Sequence, residues 1–140
     1  MAYHPFIDGR SALNRWIMNR GGAQKLGRLG EEKVVEYLKF QEYTILCRNY
    51  RWARGEIDII AEKAHSLIFF EIKTSRLKSN FGSPETWVNP RKQKQIATTA
   101  LKYLQSHQIE DVECRFDVIG VIYDGYGNWY FRHLKNAFWL

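Results

Sequence analysis

Cysteine is scarce in this sequence. Its two residues, Cys47 and Cys114, cannot build a disulfide scaffold, and no C-x-x-C pair is present to hold zinc. Both thiols are expected to be buried or inert. The histidines, at positions 4, 65, 107 and 133, fall at no metal-ligand spacing. No apolar run approaches the length of a membrane span, and the opening residues, with His4, Pro5, Asp8 and Arg10 among isolated apolar side chains, do not read as a signal peptide. Cytoplasmic residence is therefore the expectation, with no membrane partner and no nucleotide cofactor. Repeats and low-complexity tracts are also missing. At 140 residues the chain reads as one domain with a single core.

Apolar and charged contents of 45% and 26% are those of an ordinary soluble globular chain. The formal charge of +6 favours an anionic partner, and its placement says more than its size. Lys73, Arg76, Lys78, Arg91, Lys92 and Lys94 face only Glu85 in the stretch 73–94.

Hydrophobic periodicity orders the chain as αβββαββ, a mixed sheet flanked by helices in one α/β domain. Residues 1–23 read as an N-terminal arm carrying a short amphipathic piece at 12–18, and residues 24–140 as the domain. A helix is expected over 29–40, with Glu31, Val34, Val35 and Leu38 on one face and Glu32, Lys33 and Glu36 more exposed. Strands are expected at 43–47, from Gly55, and at 67–73, the second and third separated by the polar break Lys63-Ala64-His65-Ser66. The residues Asn49-Tyr50-Arg51-Trp52 read as a connection. A loop covers 78–89, and Pro90 suits the start of a helix running to about His107. Strands at 115–122 and 129–131 follow, joined by a turn at 123–128. The apolar end Phe138-Trp139-Leu140 is expected to pack back on the core or to join two copies of the chain.

The chemistry concentrates in residues 55–73. A strand has period two, so Glu71 and Lys73 share a face while Ile72 points the other way. The hairpin is short enough for Asp58 to lie opposite Glu71. Glu56 shares Asp58's face and competes with it as a ligand. Two carboxylates and an ammonium on an otherwise apolar hairpin read as a divalent-metal site beside a phosphate, because unpaired charges rarely enter a sheet core. A hard ion such as Mg²⁺ or Mn²⁺ would take oxygens from Asp58, Glu71 and the Ile72 carbonyl, with Glu31 directly or through water. The plainer alternative is an exposed edge bearing one salt bridge, with Glu31 merely offsetting the helix dipole in a first turn. Gln93 and Lys92 lie in the first turn of the second helix, where either a phosphate contact or simple solvation fits. Asp117 reads as structural, paired to Arg115 or to the site.

Several segments resemble a known family in order: Gly27-Arg28-Leu29-Gly30-Glu31, Arg48-Asn49-Tyr50-Arg51, Gly55-Glu56-Ile57-Asp58-Ile59-Ile60, Phe70-Glu71-Ile72-Lys73, Phe81-Gly82-Ser83-Pro84-Glu85, Val88 with Lys92, and Arg115-Phe116-Asp117-Val118. Together they resemble a widespread bacterial uncharacterised protein family expected to be endonuclease-like, similar in fold to archaeal Holliday-junction resolvases and the restriction-endonuclease-like nucleases. The resemblance covers roughly Gly27 to Phe131. It implies a metal-dependent endonuclease acting on DNA, branched DNA included, or else a nucleic-acid-binding accessory protein. It implies Asp58, Glu71 and Lys73 as the strand-pair residues, Asp58 being favoured over Glu56, and Glu31 as the helical acid. Arg76, Lys78, Arg91, Lys92, Gln93 and Lys94 are the expected nucleic-acid contacts, and a homodimer is the expected partner state. The chain departs from the family pattern in a longer arm before Gly27, and in Glu42, where a glycine commonly precedes the aromatic.

Overall fold

Residues 2–3, 22–76 and 86–138 are described in the computed structural model. The expected amphipathic piece at 12–18, Lys78 and most of the loop that contains it, and Trp139 and Leu140 lie outside the described residues. The elements are β1 (Ala2–Tyr3), α1 (Gly22–Phe40), β2 (Thr44–Trp52), β3 (Gly55–Lys63), β4 (Ser66–Arg76), α2 (Pro90–Ser106), β5 (Glu113–Tyr123) and β6 (Trp129–Leu134). They form a six-stranded sheet in the order β1-β6-β5-β4-β3-β2, parallel between β4 and β5 and antiparallel elsewhere. This is the mixed α/β arrangement that the periodicity predicts, with the two-residue β1 added at one edge.

β4 is central and has one core on each face. Ile68 and Phe70 join Val34, Leu38 and Tyr37 of α1, while Leu67 and Phe69 join Ile96, Ala100 and Tyr103 of α2. That is why its sequence is apolar on both faces. The break between β3 and β4 is as short as a hairpin allows. Lys63 pairs with Ser66, and Ala64 and His65 between them are both left-handed, the geometry of the turn that matches strand twist.

Two boundaries and one burial bear on the site. β2 continues through Trp52 because Tyr50, Arg51 and Trp52 pair with Ile57, Glu56 and Gly55, so the expected connection is strand. α1 begins at Gly22 rather than 29, which removes Glu31 from any first turn and with it the helix-dipole account of that residue. Lys33 is buried, not exposed, and its Nζ lies 3.5 Å from Glu36 Oε2.

At the far end of α1, Tyr43 N–H donates to the Leu38 carbonyl and Glu42 N–H to that of Lys39. This pattern closes a helix through one left-handed residue, and Glu42 is that residue, with φ of 67°. Of the apolar end, Phe138 is buried and stacks on Phe116. Both cysteines are free and half-buried.

Candidate metal and phosphate site

β3 and β4 pair from Lys63 and Ser66 as far as Ile59 and Phe70, and there the ladder ends. The next residues, Asp58 and Glu71, stand at the point where the strands fork. Beyond the fork β3 pairs only with β2, and β4 only with β5. An unpaired strand edge in a buried region needs hydrogen-bond partners. Asp58 supplies one, its Oδ2 accepting from the Ile72 N–H at 2.7 Å.

Closing the fork forces the carboxyls together. Burial, then the charge of Glu71, pushes the Asp58 carboxyl up to about 8, so Asp58 is held in its protonated form and hydrogen-bonds to Glu71. Burial also raises Glu71, against the opposing pull of Lys92. Even so, Glu71 Oε2 is buried without a hydrogen-bond partner, and the Lys92 Nζ of the first turn of α2 stands 3.8 Å away. Asn89 caps that turn through the Lys92 N–H, which fixes where the helix, and hence Lys92, begins.

Lys73 is exposed on the side of Glu71, as period two requires, and its Nζ donates to the Trp87 carbonyl at 3.0 Å. A cavity of about 250 Å³ lies between them, lined by Glu71, Lys73, Trp87, Val88, Asn89 and Lys92. Glu31 is half-buried, and burial and then the charge of Asp58 raise its carboxyl. Gly30 is what lets this part of α1 lie against β4. A Cβ there would collide with the Thr74 side chain.

The donor set fits a hard divalent cation in part. Two carboxyls held together at the cost of a retained proton, and a buried oxygen with no donor, are what an oxygen-seeking ion would relieve. Among the described residues, however, no three His, Cys, Asp or Glu side chains form a group able to hold a metal. Glu31 therefore stands near the pair without completing it. Two carboxylates still suit Mg²⁺, which commonly keeps several waters and takes the rest from substrate phosphates. Glu56 does not join the pair; it is taken by an ion pair with Arg51.

Of the expected nucleic-acid contacts, Arg76, Arg91 and Lys94 are exposed, while Lys92 is turned to Glu71. Gln93 is half-buried and its amide donates to the Val88 carbonyl. Asp117 lies elsewhere, fully buried, where it accepts from Arg115, from His133 Nε2 at 2.7 Å and from the Asn136 N–H. His133 in turn lies 3.3 Å through Nδ1 from the Tyr37 hydroxyl. The pattern of the sequence pointed to Arg115 or to the site; Arg115 is a partner, the site is not, and the partners from β6 and the segment after it depend on tertiary placement. Trp87 was also missed, since what it contributes is a backbone carbonyl, which no residue type announces.

The fold and site thus define a mixed α/β protein with paired carboxyls at the fork of a central hairpin. The chain belongs to the uncharacterised protein family UPF0102, whose profile matches residues 30–121, a span that includes Glu31, Asp58, Glu71 and Lys73. Curated relatives are themselves named UPF0102 proteins. The one from Christiangramia forsetii is 40% identical, with 81% of this chain and 93% of that protein covered. Those from Prosthecochloris aestuarii and Geotalea daltonii are 41% and 42% identical over 81% of this chain, with 93% and 88% of their own lengths covered. Among solved structures, Pyrococcus furiosus SfsA in complex with Ca²⁺ is similar at 16% identity and a TM-score of 0.34, covering 81% of this chain and 63% of that one. Among the described residues no helix is long and apolar enough to cross a membrane.

Proposed function

We propose that the chain is a metal-dependent endonuclease that hydrolyses phosphodiester bonds in DNA, with branched or otherwise non-standard DNA as its substrate. The observation that carries this reading is the Asp58–Glu71 pair, two half-buried carboxyls side by side with one buried oxygen left without a donor. Asp58, Glu71 and the Ile72 carbonyl would hold Mg²⁺ or Mn²⁺, and Glu31 would reach it through water. When bound, the ion supplies charge that polarises a phosphodiester oxygen and lowers the pKa of water. Lys73, steadied by the Trp87 carbonyl, sets an ammonium where charge grows on the phosphoryl oxygens. Lys92 neutralises Glu71 while the site is empty of substrate. Arg76, Arg91 and Lys94 offer phosphate contacts that give affinity rather than sequence preference, and Lys78, between Arg76 and Arg91 in the chain, would join them. A homodimer would present two such sites to two strands.

A second reading, a DNA-binding accessory protein that cleaves nothing, is favoured by one observation. Lys92 already provides Glu71 with a cation, and among the described residues no third acid completes the group. Incubation of linear, flapped and four-way-junction DNAs in Mg²⁺ or Mn²⁺ decides between them, with Glu71→Gln prepared identically. Product from the wild type alone supports the nuclease. Salt-sensitive binding with no product on any substrate supports the accessory protein.

A further inference from the structure

The tip of the β2–β3 hairpin rests on α2, at Gly55. A Cβ at Gly55 would collide with Thr99 Oγ1 and lie 3.0 Å from the Gln95 carbonyl, so only a glycine lets the tip seat this closely. Around this contact runs an open groove of about 420 Å³, with Trp52 and Arg54 on the hairpin side and Arg91, Lys94 and Thr98 on the helix side. Trp52 is 41% exposed, the most exposed indole among the described residues. Lys102 Nζ lies over the ring at 5.7 Å from its centroid, and Trp52 also lines the groove. No ion pair among the described residues engages Arg54, Arg91 or Lys94.

An exposed indole costs solubility, and a duplex backbone gripped through its phosphates has no use for one. An unpaired nucleotide does: its base stacks on the ring while neighbouring phosphates meet the cations. The groove and the fork are also neighbours along the chain. Asp58 follows Gly55 by three residues of β3, a distance of roughly 10 Å along a strand, and Lys92, beside Glu71, follows Arg91 directly.

We infer that this groove binds single-stranded nucleic acid, with Trp52 as the stacking platform for an unpaired base and Arg54, Arg91 and Lys94 as its phosphate contacts. The inference deepens the nuclease reading by naming the feature of a branched or flapped substrate that is gripped. It rests on that reading only for the purpose of the grip, since the groove binds without metal and without cleavage.

Fluorescence anisotropy in EDTA, with labelled oligo(dT) and a blunt duplex of equal length, tests it. Trp52→Ala should weaken oligo(dT) binding on the order of tenfold and leave duplex binding nearly unchanged, and Trp52→Phe should recover most of the loss. Arg91→Ala with Lys94→Ala should lower the salt slope for oligo(dT) by roughly 0.7 for each phosphate no longer neutralised. Absence of salt-sensitive oligo(dT) binding in the wild type, no effect of Trp52→Ala, or an equal loss on duplex would each overturn the inference. A protein that cleaves nothing yet shows this Trp52 dependence loses the nuclease reading and keeps the groove. One that cleaves without Trp52 dependence does the reverse.

Discussion

Asp58 Oδ2 accepts a hydrogen bond from the Ile72 N–H at 2.7 Å, at the first backbone donor of β4 beyond the paired stretch of the β3–β4 hairpin. A side chain thus takes the place of a missing strand partner, and the same contact draws its carboxyl against Glu71. The fold and the site meet in this one bond. The strands separate here, and the carboxylates gather where they separate.

The protonated pair makes apo stability depend on pH in an unusual direction. A carboxyl held at about 8 when folded, against 3.8 ordinarily, keeps a proton that the unfolded chain has lost. Stability in EDTA should therefore fall as pH rises from about 4 towards 8, each unit of difference between the two states being worth about 1.4 kcal/mol. Asp58→Asn should flatten the decline and be the more stable protein at pH 8. Thermal unfolding across that range measures it; identical profiles for the two proteins would show that Asp58 keeps no such proton.

Lys73 should matter to turnover and little to metal. Its Nζ bonds to the Trp87 carbonyl, and no carboxylate lies within ion-pair distance of it among the described residues. In an active preparation Lys73→Ala should lower kcat on the order of a hundredfold while Mn²⁺ affinity is nearly unchanged. Unchanged turnover would remove it from the chemistry.

How much of this was readable beforehand differs from residue to residue. Alternating Ile and Phe around a short polar break allowed Asp58 to lie opposite Glu71 in a favourable register, and the two-residue turn at Ala64 and His65 is what fixes that register. The start of α2 at Pro90 was equally plain, and Ile96, Ala100 and Tyr103 are buried along the helix. Glu31's setting was not, because the helix expected from 29 starts at Gly22 and so places Glu31 well inside it. Gly30 owes its position to Thr74, a residue far away in sequence. The extension of β2 through Trp52 and the groove beneath it were also hidden, for both depend on which strand and helix the hairpin meets.

Asp117 should carry much of the stability at the β6 side of the sheet. Burial pushes its carboxyl up, but His133, Arg115 and the Asn136 N–H outweigh this and hold it below its ordinary value. A depressed folded value contributes stability that is present above 3.8 and lost as pH falls below it. Asp117→Asn leaves the Arg115 guanidinium with an unpaired charge and should cost about 3–5 kcal/mol at neutral pH. Urea unfolding followed by circular dichroism measures the loss, and a change below about 1 kcal/mol, on the scale of an exposed pair, would contradict the network.

Glu42 closes α1 in a left-handed conformation that a side chain resists. Replacing it with glycine should stabilise the protein by about 1 kcal/mol, since the strain disappears and the capping bonds to Leu38 and Lys39 remain. A loss of stability in Glu42→Gly would mean that the side chain makes a compensating contact.

The claim on which the rest depends is that Asp58 and Glu71 hold a divalent cation, and titration calorimetry with Mn²⁺ tests it most directly. Wild-type protein should give one saturable binding event that releases protons below pH 8 and tightens as pH rises, and both Asp58→Asn and Glu71→Gln should abolish it or weaken it severely. Binding of equal strength in the wild type and both variants, or no binding in the wild type at all, would contradict the account.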